Sequence, residues 1–367
     1  MKMEKFKLLI APLVILVTSF FSWRTLLQPG FFSMHDYQQI ARLEQFHNAL
    51  IAGQFPVRWV ADLGFGYGYP LFNFYPPFVY YLGELFHLLG VGYIDSIKLV
   101  WFLAFLLSGL AMYLLAREFI GRIGAIVSSL FYVYAPYHAV DAYVRGALAE
   151  LFSFVWLPVI LLTAYKTVRT QHLKWSILTG VLLAALMLTH NLIFLPFFVF
   201  YTAWFLFFSI VEKQNIFKLT TLFLITVIIA FGLSAFFWLP SLAEKQYTLV
   251  DSLLIRNLAS YRIHFVCPSQ LWNSLWGYGG SAAGCLDGIS FKIGKLHVFL
   301  SAFSVVVAGW VLKKGNRQLP AVVSISLLLC IFAAFMTTDY SKFIWDNISQ
   351  LWYLQFPWRF LEVLVLF

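Results

Sequence analysis

Charge is what this sequence has least of. Of its 367 residues, 11% are Asp, Glu, Lys or Arg, against about 25% in a soluble globular domain. That scarcity excludes a cytosolic enzyme, a disordered chain and a nucleic-acid binder, in spite of a formal net charge of +9. Cysteine is scarce too. Three residues exclude a disulfide-dense secreted scaffold. There is no Gly-Lys-Ser/Thr phosphate loop and no dinucleotide glycine fingerprint, so no nucleotide-binding site is expected. The eight histidines are scattered, and no two of them have zinc-motif spacing on one helix. The short alternating strands of a membrane β-barrel are missing as well.

What the chain does have is apolar bulk. Hydrophobic residues make up 61% of it, with 40 Phe and 13 Trp, and the mean hydropathy is +0.81. About 20 apolar residues cross a bilayer as a helix. The runs 6–23, 98–116, 123–139, 148–165, 175–189, 192–211, 219–239, 294–312 and 319–336 meet that pattern. A tenth starts near Phe356 and is still running at Phe367, which predicts that the natural chain continues. The expected fold is all-α, a polytopic transmembrane helical bundle of about ten spans, with 1–367 as one transmembrane domain. The first run has no small-residue cleavage site behind it and is predicted to stay. The run 77–90 is about 14 residues long and contains Glu84, which suits a re-entrant or surface helix.

Positive charge in short loops marks the cytoplasmic side. If 77–90 does not cross, the inner pieces are 1–7, 117–122, 166–174, 212–218 and 313–317. They carry 13 of the 25 Lys and Arg and only three acids, Glu4, Glu118 and Glu212. If 77–90 did cross, four of those five basic loops would turn outward. The sequence therefore predicts an integral plasma-membrane protein with a cytoplasmic N-terminus. Its acids collect in outer stretches: a first outer loop 24–97 with juxtamembrane helices, 140–147, the 190–191 hairpin tip, a large outer loop 240–293, and 337–356.

Each outer stretch holds candidates. His35 and Asp36 follow the first span. Gln38 to Ala52 then reads as a surface helix, with Ile40, Leu43, Phe46, Leu50 and Ile51 on one face. Asp36, with Gln39 three residues on, fits a helix cap; an acid at this surface also fits chemistry. Asp141 and Arg145 stand one helical turn apart and fit an ion pair. Glu150 opens a span, where an ionisable group is costly unless paired or facing a cavity. Arg58, Arg145 and Arg359 offer guanidinium groups for phosphate, with Gln355 beside Arg359; a Trp358/Arg359 interfacial anchor is the alternative. His190 and Asn191 split a long apolar run into two crossings. His190 fits a helix cap or a contact to phosphate or hydroxyl. In 240–293, Trp and Tyr suit either sugar rings or the membrane interface. Cys267 and Cys285 lie there on the oxidising side, and a disulfide is predicted, worth roughly 3 kcal/mol in the loop-entropy model.

Four stretches carry a resemblance: Met34-His35-Asp36, Tyr143 to Glu150, Leu188-Thr189-His190-Asn191, and Gln355-Phe356-Pro357-Trp358-Arg359. Their order and shared outer location resemble the GT-C superfamily of membrane glycosyltransferases. Within that frame the chain is most similar to membrane proteins labelled 6-pyruvoyl-tetrahydropterin synthase-related, a label that does not by itself imply pterin chemistry. The resemblance implies a GT-C-like fold and sugar transfer from a polyprenyl-phosphate sugar to a glycan, lipid or protein acceptor of the envelope, on the outer face. It implies that Asp36 is the catalytic base or positions the acceptor. His35, Arg58, Asp141, Arg145, Glu150, His190, Gln355 and Arg359 become substrate-binding candidates. The second acidic site would bind acceptor, donor phosphate or a divalent metal (Mg or Mn), with Asp36, Asp141 and Glu150 as metal-ligand candidates. The first-loop acid is single, not an Asp-x-Asp pair. A transporter or flippase for lipid-linked sugars and a non-catalytic membrane protein remain as alternatives.

Overall fold

The computed structural model describes residues 11–254, 259–315 and 317–367. Lys2, Lys5 and Lys7, with Glu4 and the start of the first apolar run, lie outside the described residues. The chain is 75% helical. Among the described residues there is no strand, only the isolated bridges Val60–Tyr69 and Val266–Thr338.

Helix α1 covers 11–18 and continues as Phe20–Trp23. Then come α2 (Gln39–Ile51), α3 (Phe78–Leu88), α4 (Tyr93–Val133), α5 (Leu148–Thr170) and α6 (Leu173–Thr189). They are followed by α7 (Asn191–Val211), α8 (Ile216–Glu244), α9 (Lys295–Lys313), α10 (Gln318–Thr337) and α11 (Phe360–Leu364). Six helices among the described residues are long and apolar enough to cross a membrane: α4, α5, α7, α8, α9 and α10.

The difference from ten expected spans has four sources, the first being that the run 6–23 begins outside the described residues and is not among the six. The runs 98–116 and 123–139 fall within one continuous stretch, α4, but are two helical arms that fold back on each other where Gly121 adopts φ 74°, ψ −173°, so that Ser129 Oγ donates to the Gly109 carbonyl at 2.7 Å. That backbone conformation is open to glycine and strained for other residues. Helix α6 is apolar but has 17 residues. The final run is not a span within this chain: Pro357–Arg359 forms a 3-10 turn and α11 has five residues. The segment around 77–90 is short, as its length and Glu84 suggested. Helix α3 has 11 residues, about 16 Å at 1.5 Å each. It packs on α2, where Gly83 lets Leu43 come close.

Helix α5 is the centre of the bundle and packs against α4, α6 and α7. Its most apolar stretch is 89% buried, whereas that of α9 is 6% buried. Phe299, Phe303 and Val306 of α9 point outward, the surface a lipid-facing helix presents. Helices α6 and α8 approach through small residues. Ser176 Oγ donates to the Leu222 carbonyl at 2.6 Å, Thr226 Oγ1 donates to the Ser176 carbonyl at 3.0 Å, and a Cβ on Gly180 would lie 2.8 Å from the Thr226 carbonyl.

Polar groups collect at the two ends of the bundle. At one end, Glu118 accepts from Lys166 and Arg169, each at 2.9 Å. Gln171 pairs with Gln214 at 2.9 Å, and Gln318 donates to Tyr165 at 2.8 Å. The basic loops at 117–122, 166–174 and 212–218 therefore lie at one end of the bundle. At the other end, α2, α3 and the aromatic loop between them build a second hydrophobic cluster around Leu43, Phe46, Phe72, Tyr80 and Trp101. That layer carries the first His-Asp pair.

Candidate functional site

The first polar loop is stitched to the second through main-chain atoms. The His35 N–H donates to the Val144 carbonyl at 3.0 Å, and the Asp36 N–H donates to the Arg145 carbonyl at 2.8 Å. Gly146 makes the seam tight. Its φ is 66°, and a Cβ there would lie 2.0 Å from Met34 Sδ. Gln39 extends the seam, donating to the Gly146 carbonyl at 2.9 Å while it accepts from the Tyr80 hydroxyl at 2.6 Å.

The helix cap that spacing allowed for Asp36 does not form. Helix α2 starts at Gln39 with Gln38 as its N-cap residue and no side-chain cap. Gln39 is spent on Gly146 and Tyr80, so no capping box forms. The half-buried Asp36 carboxylate makes no hydrogen bond or ion pair among the described residues. His35 is exposed, and its Nε2 lies 2.9 Å from the Tyr278 carbonyl, which ties the pair to the large loop.

Behind the seam, Asp141–Arg145 forms one π-turn, a local geometry common at functional sites. Arg145 Nη1 bonds both Asp141 Oδ1 and Glu150 Oε1, the latter at 2.5 Å. Glu150 Oε1 also accepts from the Tyr137 hydroxyl at 2.6 Å. Glu150 Oε2 lies 3.2 Å from Arg359 Nε and 3.7 Å from His190 Nε2. Arg359 Nη1 donates to the Leu354 carbonyl at 2.6 Å, and the Arg145 guanidinium stacks 4.6 Å from the Trp358 ring centre. Asp141, Glu150 and Arg145 are buried. Desolvating such charges is affordable only because each has partners.

Protonation states follow from these surroundings. Burial, reinforced by the Glu150 charge, holds the Asp141 carboxyl well above the usual carboxylate range. Burial opposes the charge on Arg145, but Glu150, Tyr137 and Asp141 outweigh it and keep the guanidinium charged. Burial lowers His190 to about 3. The Ile193 N–H donates to His190 Nδ1 at 3.1 Å, so Nδ1 is the bare nitrogen and the proton sits on Nε2, facing Glu150. His190 thus caps α7 and borders the cluster at once.

Asp141, Arg145, Glu150, His190 and Arg359 come together, with Asp36 and His35 joined to them by the backbone seam. Arg58 does not join them. Its Nη1 donates to Asn73 Oδ1 at 2.6 Å and its Nη2 to the Phe236 carbonyl at 2.8 Å, and Asn73 in turn donates to Glu244 at 2.7 Å. Arg58 fastens the surface layer to α8. Gln355 is half-buried, with φ 62°, and makes no side-chain bond to the cluster. It shapes the turn that aims the Leu354 carbonyl at Arg359. Asp36, Asp141 and Glu150 do not fit a metal site. Among the described residues no group of three His, Cys, Asp or Glu is arranged to hold an ion, and the Arg145 guanidinium fills the space between the two buried carboxylates.

Three participants were not singled out from the sequence. Tyr137 sits inside an apolar run. Ser153 lies one turn beyond Glu150, with its Oγ 2.5 Å from Glu362 Oε1. Glu362 is fully buried, and an acid three residues past Arg359 in an apolar run was the available clue. The large loop covers this end. It is closed by a Cys267–Cys285 disulfide, and its Ser281 Oγ accepts from Trp358 Nε1 at 3.1 Å.

A family model described as the 6-pyruvoyl-tetrahydropterin synthase related domain, a membrane protein, matches residues 72–356. That stretch contains Asp141, Arg145, Glu150, His190 and Gln355, and it excludes Asp36 and Arg359. No curated protein matches the chain. With most of its length inside the matched region, the chain belongs to the 6-pyruvoyl-tetrahydropterin synthase related family of membrane proteins.

Proposed function

We propose that this membrane protein is a glycosyltransferase that moves a sugar from a polyprenyl-phosphate donor to an envelope acceptor (glycan, lipid or protein). The observation that carries the reading is the seam between the first and second polar loops. It sets an uncommitted carboxylate, Asp36, beside two arginines that keep donors in reserve. Arg145 commits only Nη1 to protein partners, and Arg359 leaves Nη2 uncommitted. In the proposed reaction Asp36 takes the proton of the acceptor hydroxyl as its oxygen attacks the anomeric carbon. The bond from that carbon to the phosphate oxygen breaks, and the lipid phosphate leaves with the electron pair. Arg145 and Arg359 stabilise its charge. Glu150 holds both guanidinium groups in place, and neutral His190 adds no competing charge.

The basic-loop count supports a cytoplasmic N-terminus with this end of the bundle outside, where lipid-linked sugars meet envelope acceptors. Transport of such lipids is the second reading. It draws on the polar chain Glu150–Ser153–Glu362, which reaches from the site into the bundle.

A rescue experiment in the source organism tests the proposal. The gene is deleted, wild type or Asp36→Asn is restored, and envelope glycans and lipid-linked sugars are profiled by mass spectrometry. Loss of a general base costs about 10²–10⁴ in rate. With Asp36→Asn present at normal levels, one glycan sugar should be missing and its polyprenyl-phosphate donor should accumulate. Full rescue by Asp36→Asn would sink the transferase reading and leave transport.

A further inference from the structure

Arg42 lies one turn into α2 and differs from the two arginines of the buried cluster. Arg145 and Arg359 each meet a carboxylate. Among the described residues Arg42 forms no ion pair. Its Nη2 donates to Gln38 Oε1 at 3.0 Å, and its guanidinium carbon lies 4.5 Å from the centre of the Tyr75 ring. Nε and Nη1 are buried and have no hydrogen-bond partner among the described residues. The Tyr80 hydroxyl beside them donates to Gln39 Oε1, and its oxygen is a neutral acceptor next to the guanidinium, not a counter-ion.

An arginine cannot shed its charge to escape this situation. Each buried N–H left unpaired costs about 1–3 kcal/mol, and a buried cation without a counter-ion costs more. A purely structural arginine at this place would be better replaced by an apolar residue. Unspent buried donors make sense where a ligand supplies the acceptors. The surroundings say which ligand. Arg42 stacks on Tyr75, and Asp36 and Arg359 act electrostatically on the same ring. Two guanidinium groups and one carboxylate in this region are a balance that favours an anion.

We infer that Arg42 is a binding residue for a phosphate or phosphate ester that enters between Asp36 and Tyr75. The inference rests on the proposed function and names a residue that would hold the donor's phosphate beside the base. It also explains why α2 follows the His-Asp turn so closely: the helix carries a cation to within reach of the acid.

Native mass spectrometry of the full chain in detergent tests this. The probes are undecaprenyl phosphate and undecaprenol, which differ only in the phosphate; inorganic phosphate is added separately in thermal-shift assays. Wild type should prefer the phosphate lipid. Arg42→Gln should weaken its binding about tenfold or more, the worth of a charge-assisted hydrogen bond, with undecaprenol binding unchanged. If Arg42→Gln does not fold, Arg42→Lys, which keeps the charge and loses the fork of donors, should still bind several-fold more weakly. A folded variant of either kind with the wild-type preference overturns the inference. So does a wild type that responds to neither phosphate probe. An Arg42-dependent response to inorganic phosphate without any preference for the lipid would uphold the anion site and remove the lipid-linked donor from the proposed function.

Discussion

Two glutamates, each faced by basic side chains, mark opposite ends of α5: Glu150 on its first turn and Glu118 on α4, against its last turns. Glu118 meets Lys166 and Arg169; Glu150 meets Arg145, Arg359 and His190. The pairings look alike, and the distances overlap. Burial separates them. Glu118 is 21% exposed and Arg169 51%, whereas Glu150 is 0% and Arg359 10% exposed. Exposed pairs are screened and contribute about 0–1 kcal/mol. Buried pairs carry a desolvation cost and fail badly when one partner is removed. The same residue types thus do different work. At one end they solvate the rim of a bundle. At the other they hold guanidinium groups in a dry site, an arrangement that rarely survives in membrane proteins without a function.

The largest expected effect comes from emptying the buried end. Glu150→Ala leaves Arg145 with only Asp141, itself pushed toward its neutral form, and leaves Arg359 with no carboxylate. A loss of about 3–5 kcal/mol is expected for the broken buried pair. Chemical unfolding of the purified chain in mild detergent measures it. A cost below about 1 kcal/mol would mean that water reaches Glu150, and the contrast between the two ends would collapse.

A smaller effect sharpens the comparison through pH. His190 titrates at about 3 in the folded chain and near 6.5 unfolded. Between those values the unfolded chain binds a proton that the folded chain does not, so stability rises with pH across this window. It is fully present above about 6.5 and is lost as pH falls toward 3. His190→Gln should flatten that part of the stability profile. An unchanged slope would show that another group supplies it.

How much of this was readable in the sequence depends on whether the signal was local. Apolar runs gave the bundle, because a span is a property of consecutive residues. Glu84 and a short run marked α3 as a non-crossing helix for the same reason. Glu150 announced itself as an acid opening a span. Arg58 misled, because its type suited phosphate while its partners, Asn73 and the Phe236 carbonyl, lie far along the chain. Asp36 looked like a cap because its spacing to Gln39 is right. The competing bonds of Gln39 to Gly146 and Tyr80 cross between loops and have no sequence period. Glu362 was lost inside an apolar run whose helix ends after five residues. In each miss the deciding contact joined distant parts of the chain.

The smallest predicted effect serves as the control for the others. Glu118→Gln removes a carboxylate from Lys166 and Arg169, and both cations can turn to water. Its expected cost is about 0–1 kcal/mol, and that little should fade as salt rises, because exposed charges are screened within about 10 Å at 0.1 M. The buried end should show no such fading, since salt does not enter it. Running Glu118→Gln and Glu150→Ala through the same unfolding assay at low and high salt therefore tests burial itself, with residue type held fixed. A salt-independent loss of several kcal/mol for Glu118→Gln would show that the Lys166/Arg169 end is closed by something that covers it in the membrane. The asymmetry between the ends would then belong to the isolated chain and not to the working protein.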